Sequence, residues 1–178
     1  MPKHLKKISE ETLHENPWCK YKHDTYEKPN GQVGDYFYLE SEGSVMIVPV
    51  LSDGRIALVL QQRYLFEKQS IEFPAGKAKG NQTILEAAKA ELQEETGYTA
   101  DEMVNVGIFA YAPAQIKNYC NVYIAHVSKQ GEQNLDDSEE IDVLYRRPDE
   151  IEEMIKNNEI FNGPTMAVWA LVRNHFIK

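Results

Sequence analysis

The chain has 178 residues, 42% of them hydrophobic and 26% charged, enough for one well-buried domain and unlike a disordered segment. Its formal net charge of −9 argues against general nucleic-acid binding, which needs a clustered basic face. A small phosphorylated ligand stays compatible with that charge if cations are recruited locally. No apolar run reaches the roughly 18 residues of a membrane span, and the start "MPKHLKKISEE" has no apolar segment behind its positive charge. Cys19 and Cys120 form no framework and show no metal-ligand spacing. The expectation is a cytoplasmic protein with no membrane partner.

In chain order, residues 17–41 read as a hairpin, with "KPNGQ" as the turn and "DYFYLES" as the return. "SVMIVPVL" and "RIALVLQQR" flank "SDG", a second hairpin signal between runs apolar enough for a buried sheet. A helix at 83–97 follows, then three strands in "MVNVGIFAY", "CNVYIAHV" and "EEIDVLYRR". Two helices close the chain. One starts at Pro148 and Asp149; the other is "NGPTMAVWALVRNHF", with Pro164 in its first turn. Strands, an inserted helix, more strands and final helices predict an α/β (α+β) fold with a mixed sheet covered by helices. The expected division is an N-terminal antiparallel β arm at 1–42 and a main domain at 43–178.

The middle helix carries an unusual load of acid. Stepping roughly 100° per residue, Ile84, Leu85, Ala88 and Leu92 share one arc. Glu91, Glu94 and Glu95 occupy the arc beside it. Like charges at these spacings destabilise a helix by roughly 0.2–0.5 kcal/mol per pair, and more where water is scarce. A solvated acidic helix end is the plain reading. A divalent cation is the other way to hold three carboxylates at the margin of a buried face, and hard oxygen ligands suit Mg²⁺ or Mn²⁺.

The context favours the cation. "EFPAGKAKGN" enters the helix as a Pro/Gly loop and Gly97 stops it. This loop–helix–loop resembles the Nudix box, whose pattern is Gly, five residues, Glu, seven residues, then Arg-Glu-apolar-any-Glu-Glu-any-Gly-apolar. Gly76 opens it and "ELQEETGY", Glu91 to Tyr98, matches its second half; Gln82 and Ala90 stand where the pattern has Glu and Arg. "ALVLQQRY" followed by "IEFPAGK", and Pro113 sixteen residues after Gly97, are similar to the ADP-ribose and nucleoside-diphosphate-sugar branch.

The resemblance implies a Nudix-like α/β/α sandwich, a homodimer made through the arm, and metal-dependent hydrolysis of a nucleotide sugar. It makes Glu91, Glu94, Glu95 and the Ala75 carbonyl the ligands of Mg²⁺ or Mn²⁺. Glu94 and Glu139 become the catalytic carboxylates, and Arg63, Glu72, Gly76 and Pro113 the substrate-side residues. Glu139, in "SEEIDV", takes the position of a catalytic base, with Glu140 one residue away as its rival. Because the Glu/Arg pair is missing, a non-catalytic nucleotide-binding module is the alternative. Other chemistry finds little support: the histidines show no ligand or triad spacing, and Trp169 and Met166 read as core. Tyr36, Phe37 and Tyr38 read as strand residues, and Lys77, Lys79 and Lys117 as solubilising or phosphate-facing charges.

Overall fold

Short β-branched and aromatic runs, punctuated by turn residues, build eleven strands and three helices over residues 5–177, the part this computed structural model describes. Residues 1–4 of the start read above lie outside it. The first half of the chain contains β1 (Lys6–Glu15), β2 (Lys20–Glu27), β3 (Val33–Glu40), β4 (Ser44–Leu51), β5 (Ile56–Arg63), β6 (Lys68–Glu72) and β7 (Ala75–Lys77). After them come α1 (Ile84–Thr96), β8 (Tyr98–Phe109), β9 (Ile116–Lys117), β10 (Cys120–Gln130), β11 (Ile141–Arg146), α2 (Pro148–Lys156) and α3 (Gly163–Val172).

Two units result. The first takes in the chain up to Glu42 together with Ala110–Tyr119. Its sheet runs β1-β2-β3-β9, antiparallel except where β9 joins β3 in parallel at Leu39 and Ile116. Gly31, at φ +84°, lets the β2–β3 turn close with a bond from the Lys28 N–H to the Gln32 carbonyl at 2.7 Å. One sheet face carries Lys22, buried between Glu10 and Glu40, and a cavity of about 360 Å³ lined by Lys7, Asp24, Tyr36, Tyr38, Pro113 and Asn118 among others. The opposite face leaves Tyr21, Phe37 and Leu39 in solvent, with His23 stacked on Phe37 at 4.5 Å between ring centres. β1 was not foreseen. Its sequence, "KKISEETLHE", is exposed at every position, and pairing to β2, not burial, keeps it extended.

The second unit comprises Gly43–Phe109 and the chain from Cys120 onward. Its mixed sheet runs β11-β5-β4-β10-β8, with β6 added beside β5 and β7 beside β4. β4 is buried on both faces, which explains its unbroken apolar run. Met46, Val48 and Val50 pack with Leu58, Phe73, Ile151, Val168 and Trp169, so α2 and α3 cover that face. Val45 and Ile47 pack with Ala87, Ala88, Leu92 and Tyr123, so α1 covers the other. This is the expected α/β/α sandwich, and Trp169 lies in its core.

α1 begins in a capping box: the Glu86 N–H donates to the Thr83 hydroxyl at 3.2 Å, and the Thr83 N–H to the Glu86 carboxylate at 2.8 Å. It ends at Gly97, φ +72°, where a Cβ would collide with the Gly131 carbonyl. The buried face is rotated from the expected one. Leu85 is 40% exposed, while Ala87, Ala88, Glu91, Leu92 and Glu95 are buried. Two of the three glutamates therefore lie inside the packed face and not at its margin.

Candidate active site

Glu91 and Glu95 are one helical turn apart on α1, 8% and 4% exposed. Removing a carboxylate from water favours its neutral form. Burial accordingly pushes Glu91 up to about 7, against the nearby Lys79 charge, and Glu95 up to about 8, against a hydrogen bond from the Ala75 amide at 3.1 Å. The charge of Glu91 also raises Glu95, but less than burial does. The loop that delivers Ala75 is fixed by β7 pairing on β4 and by the Ile47 N–H donating to the Pro74 carbonyl at 2.9 Å. Gly76 follows. A Cβ there would overlap the Glu91 carboxylate, so only glycine leaves that carboxylate its place. Glu94 points elsewhere: it accepts the Lys79 ammonium at 3.2 Å and is about a quarter exposed.

The remaining carboxylate comes from the stretch between β10 and β11. The charge of Glu139 helps to raise both Glu91 and Glu95, less than burial does, so it lies within electrostatic reach of the pair. Its own carboxylate accepts the Asp136 N–H at 3.1 Å. The sequence reading missed how this stretch is held. The last carbonyls of a helix lack intrahelical partners, and here the connecting chain supplies them. Gly131 N–H donates to the Gly97 carbonyl at 2.8 Å and Asn134 N–H to that of Glu94 at 2.9 Å; the Gln133 amide reaches both the Glu95 and the Ile141 carbonyls. The run "SKQGEQN", amide-rich directly after a strand, was the available signal.

Arg63 on β5 and Glu72 on β6 stand opposite other partners, Lys68 and Val59, and are joined diagonally by their side chains. Arg63 Nε donates to Glu72 at 2.6 Å and Nη2 makes a second bond, with Glu72 buried and the guanidinium partly exposed. This fork–fork pair holds the Arg63 head in a fixed direction, and its charge reaches Glu95. Pro113 belongs to the first unit and lines the cavity described there.

Residues 41–168 match the NUDIX domain model, and residues 5–39 match the nucleoside diphosphate sugar hydrolase N-terminal domain. The chain belongs to the Nudix family. It is 29% identical to the methanol dehydrogenase activator of Bacillus methanolicus over 90% of this chain and 88% of that one. It is 27% identical to the ADP-ribose pyrophosphatase of Bacillus subtilis (strain 168) over 78% and 76% of the two chains. A crystal structure of an ADP compounds hydrolase superposes with a TM-score of 0.84, covering 97% of this chain and 94% of the other at 19% identity, which shows the shared fold.

Two Nudix-box positions depart from the family pattern, and the structure shows what stands there. Gln82 accepts the Lys79 N–H at 2.9 Å and returns its own N–H to the Lys79 carbonyl at 3.3 Å; Ala90 is half-buried on α1 and has only a methyl group to offer. As the side chains stand, no three His, Cys, Asp or Glu among the described residues are gathered tightly enough to hold a metal, and Glu94 is turned to Lys79. The donor set nevertheless suits a hard dication: two buried carboxylates in one turn, a cradle kept open by glycine, and Glu94 on the same helix.

Proposed function

We propose that this Nudix protein hydrolyses the diphosphate bond of ADP-ribose or a related nucleoside diphosphate sugar, releasing a nucleoside monophosphate and a sugar phosphate. The observation that carries the reading is the Glu91–Glu95 pair, two carboxylates buried side by side against the loop of Gly76, an arrangement costly without a cation. The names of the relatives, ADP-ribose pyrophosphatase among them, support the choice of substrate.

Glu91, Glu94, Glu95 and the Ala75 carbonyl are the groups to hold Mg²⁺ or Mn²⁺. When bound, the ion would neutralise the diphosphate and make its phosphorus a better electrophile. Glu139, a carboxylate in solvent at the edge of the pair, is suited to take the proton of the attacking water. Arg63, oriented by Glu72, contacts an anionic group of the substrate. Gly76 keeps the loop close to Glu91. We also read the protein as cytoplasmic and as a homodimer, the latter supported by the apolar sheet face of Tyr21, Phe37 and Leu39 left in solvent.

A second reading, a module that binds nucleotides without cutting them, is favoured by the loss of the Glu/Arg pair at 82 and 90. The test is a panel of ADP-ribose, nucleoside diphosphate sugars and dinucleotides with Mg²⁺ or Mn²⁺, scored by phosphatase-coupled release of phosphate. Monophosphate release from ADP-ribose or a nucleotide sugar is expected. Binding without release from any of them selects the second reading.

A further inference from the structure

The missing Glu/Arg brace leaves a question of charge. Glu94 stands on α1 beside Glu91 and Glu95 and, when no metal is present, needs a cationic partner, for which position 90 offers only a methyl group. The loop supplies one. Gln82 grips the backbone of Lys79 from both sides, through its side-chain oxygen at 2.9 Å and its own N–H at 3.3 Å, and the Lys79 ammonium lies 3.2 Å from Glu94.

We propose that Lys79, clasped by Gln82, is a positioning residue that holds Glu94 in the metal-free protein and gives it up to the divalent cation. The inference rests on the metal-binding reading above. A lysine suits this task better than an arginine. Its ammonium is a single point charge on a flexible stem, whereas a guanidinium would grip the carboxylate with two parallel bonds. The Lys79 side chain is 57% exposed, so its release needs no repacking. A dication outbids a single positive charge for the same carboxylate. The freed ammonium then stays tethered at the mouth of the loop, where the diphosphate is the next anion to arrive.

The Lys79–Glu94 pair and the metal thus compete for one carboxylate, and that competition is measurable without turnover. Mn²⁺ binding by calorimetry, with no nucleotide present, is compared for the wild type, Lys79→Met, Lys79→Arg and Glu94→Gln, each checked for folding by circular dichroism. Lys79→Met should bind Mn²⁺ about three- to tenfold more tightly, as expected when a like charge is removed from beside the ion. Its melting temperature in chelator should fall. Lys79→Arg should restore the chelator melting temperature without the gain in affinity. In a Glu94→Gln background, Met and Lys at position 79 should become indistinguishable. Mn²⁺ binding by Lys79→Met that equals or falls below the wild type overturns the proposal. If Glu94→Gln itself binds Mn²⁺ like the wild type, the carboxylate site fails, a separate result.

Discussion

Burial holds the Glu95 carboxyl near 8 and that of Glu91 near 7, so the folded metal-free chain binds protons that the unfolded chain releases. For acids raised in this way, the stabilising contribution is full below the ordinary carboxylate range and is lost as pH climbs through 7 to 8. The metal-free melting temperature should therefore decline between about pH 5 and pH 8. Glu95→Gln keeps the shape and removes the charge. It should raise the metal-free midpoint at pH 8 by about 5 °C or more, since 1 kcal/mol is worth roughly 2–4 °C in a domain of this size. Near pH 5 it should change little. Turnover should drop by at least ~100-fold, beyond the roughly 10–100-fold typical of losing an outer partner of a metal ligand. Melting scans in chelator at both pH values, with an assay of hydrolysis, check this; unchanged turnover would move the site elsewhere. Gly76→Ala is the complementary change. It adds a methyl group where the Glu91 carboxylate sits, and activity should fall ~10-fold or more while the far-ultraviolet spectrum is kept.

The connection from Gly131 to Glu140 behaves as a cap on α1, because its backbone and the Gln133 amide satisfy carbonyls at the helix end. Glu139 therefore sits on chain that the helix itself anchors. Glu139→Gln should lower kcat by about 10²–10⁴-fold, the usual value of general-base assistance, with Mn²⁺ affinity nearly unchanged, while Glu140→Gln should leave kcat close to wild type. Gln133→Leu should lower kcat roughly tenfold by loosening the anchor. A kcat loss confined to Glu140→Gln would shift the base by one residue. Much of this element was legible beforehand. The helix was placed at 83–97 with Gly97 as its stop, and it runs Ile84–Thr96 between Thr83 and Gly97. The anchoring was not, because polar amides in a loop announce neither their partners nor their direction. Leu85 misled for a related reason: helical periodicity identifies an apolar stripe, but neighbouring strands decide which edge of that stripe is covered.

At the scale of the molecule, apolar runs such as "SVMIVPVL" gave away the buried sheet and its helical layers, since strands enclosed on both faces must be apolar throughout. Four strands escaped notice: β1, exposed along its length, β9, two residues long, and the short β6 and β7, whose polar or Gly-containing sequences carry no strand pattern. The dimer proposed above rests on the exposed face of Tyr21, Phe37 and Leu39. Sedimentation at micromolar concentration should give twice the 20.4 kDa chain mass, and Phe37→Glu should shift it to a monomer, because a charge buried in an interface without a partner is costly. A wild type that sediments only as a monomer would refute the dimer.

The first unit borrows Ala110–Tyr119 from a point far along the chain, with β9 paired to β3 at Leu39 and Glu40. An apparent N-terminal appendage is thus sewn through its neighbour's sequence at two places. Cutting the chain after residue 42 would strand the fourth edge of that sheet on the wrong fragment. Exchanging the arm between relatives would require two simultaneous grafts. Insertions in the 110–119 segment, tolerable in an ordinary surface loop, would here alter the lining of a cavity that also depends on Tyr36 and Tyr38, so these two distant stretches must vary in concert.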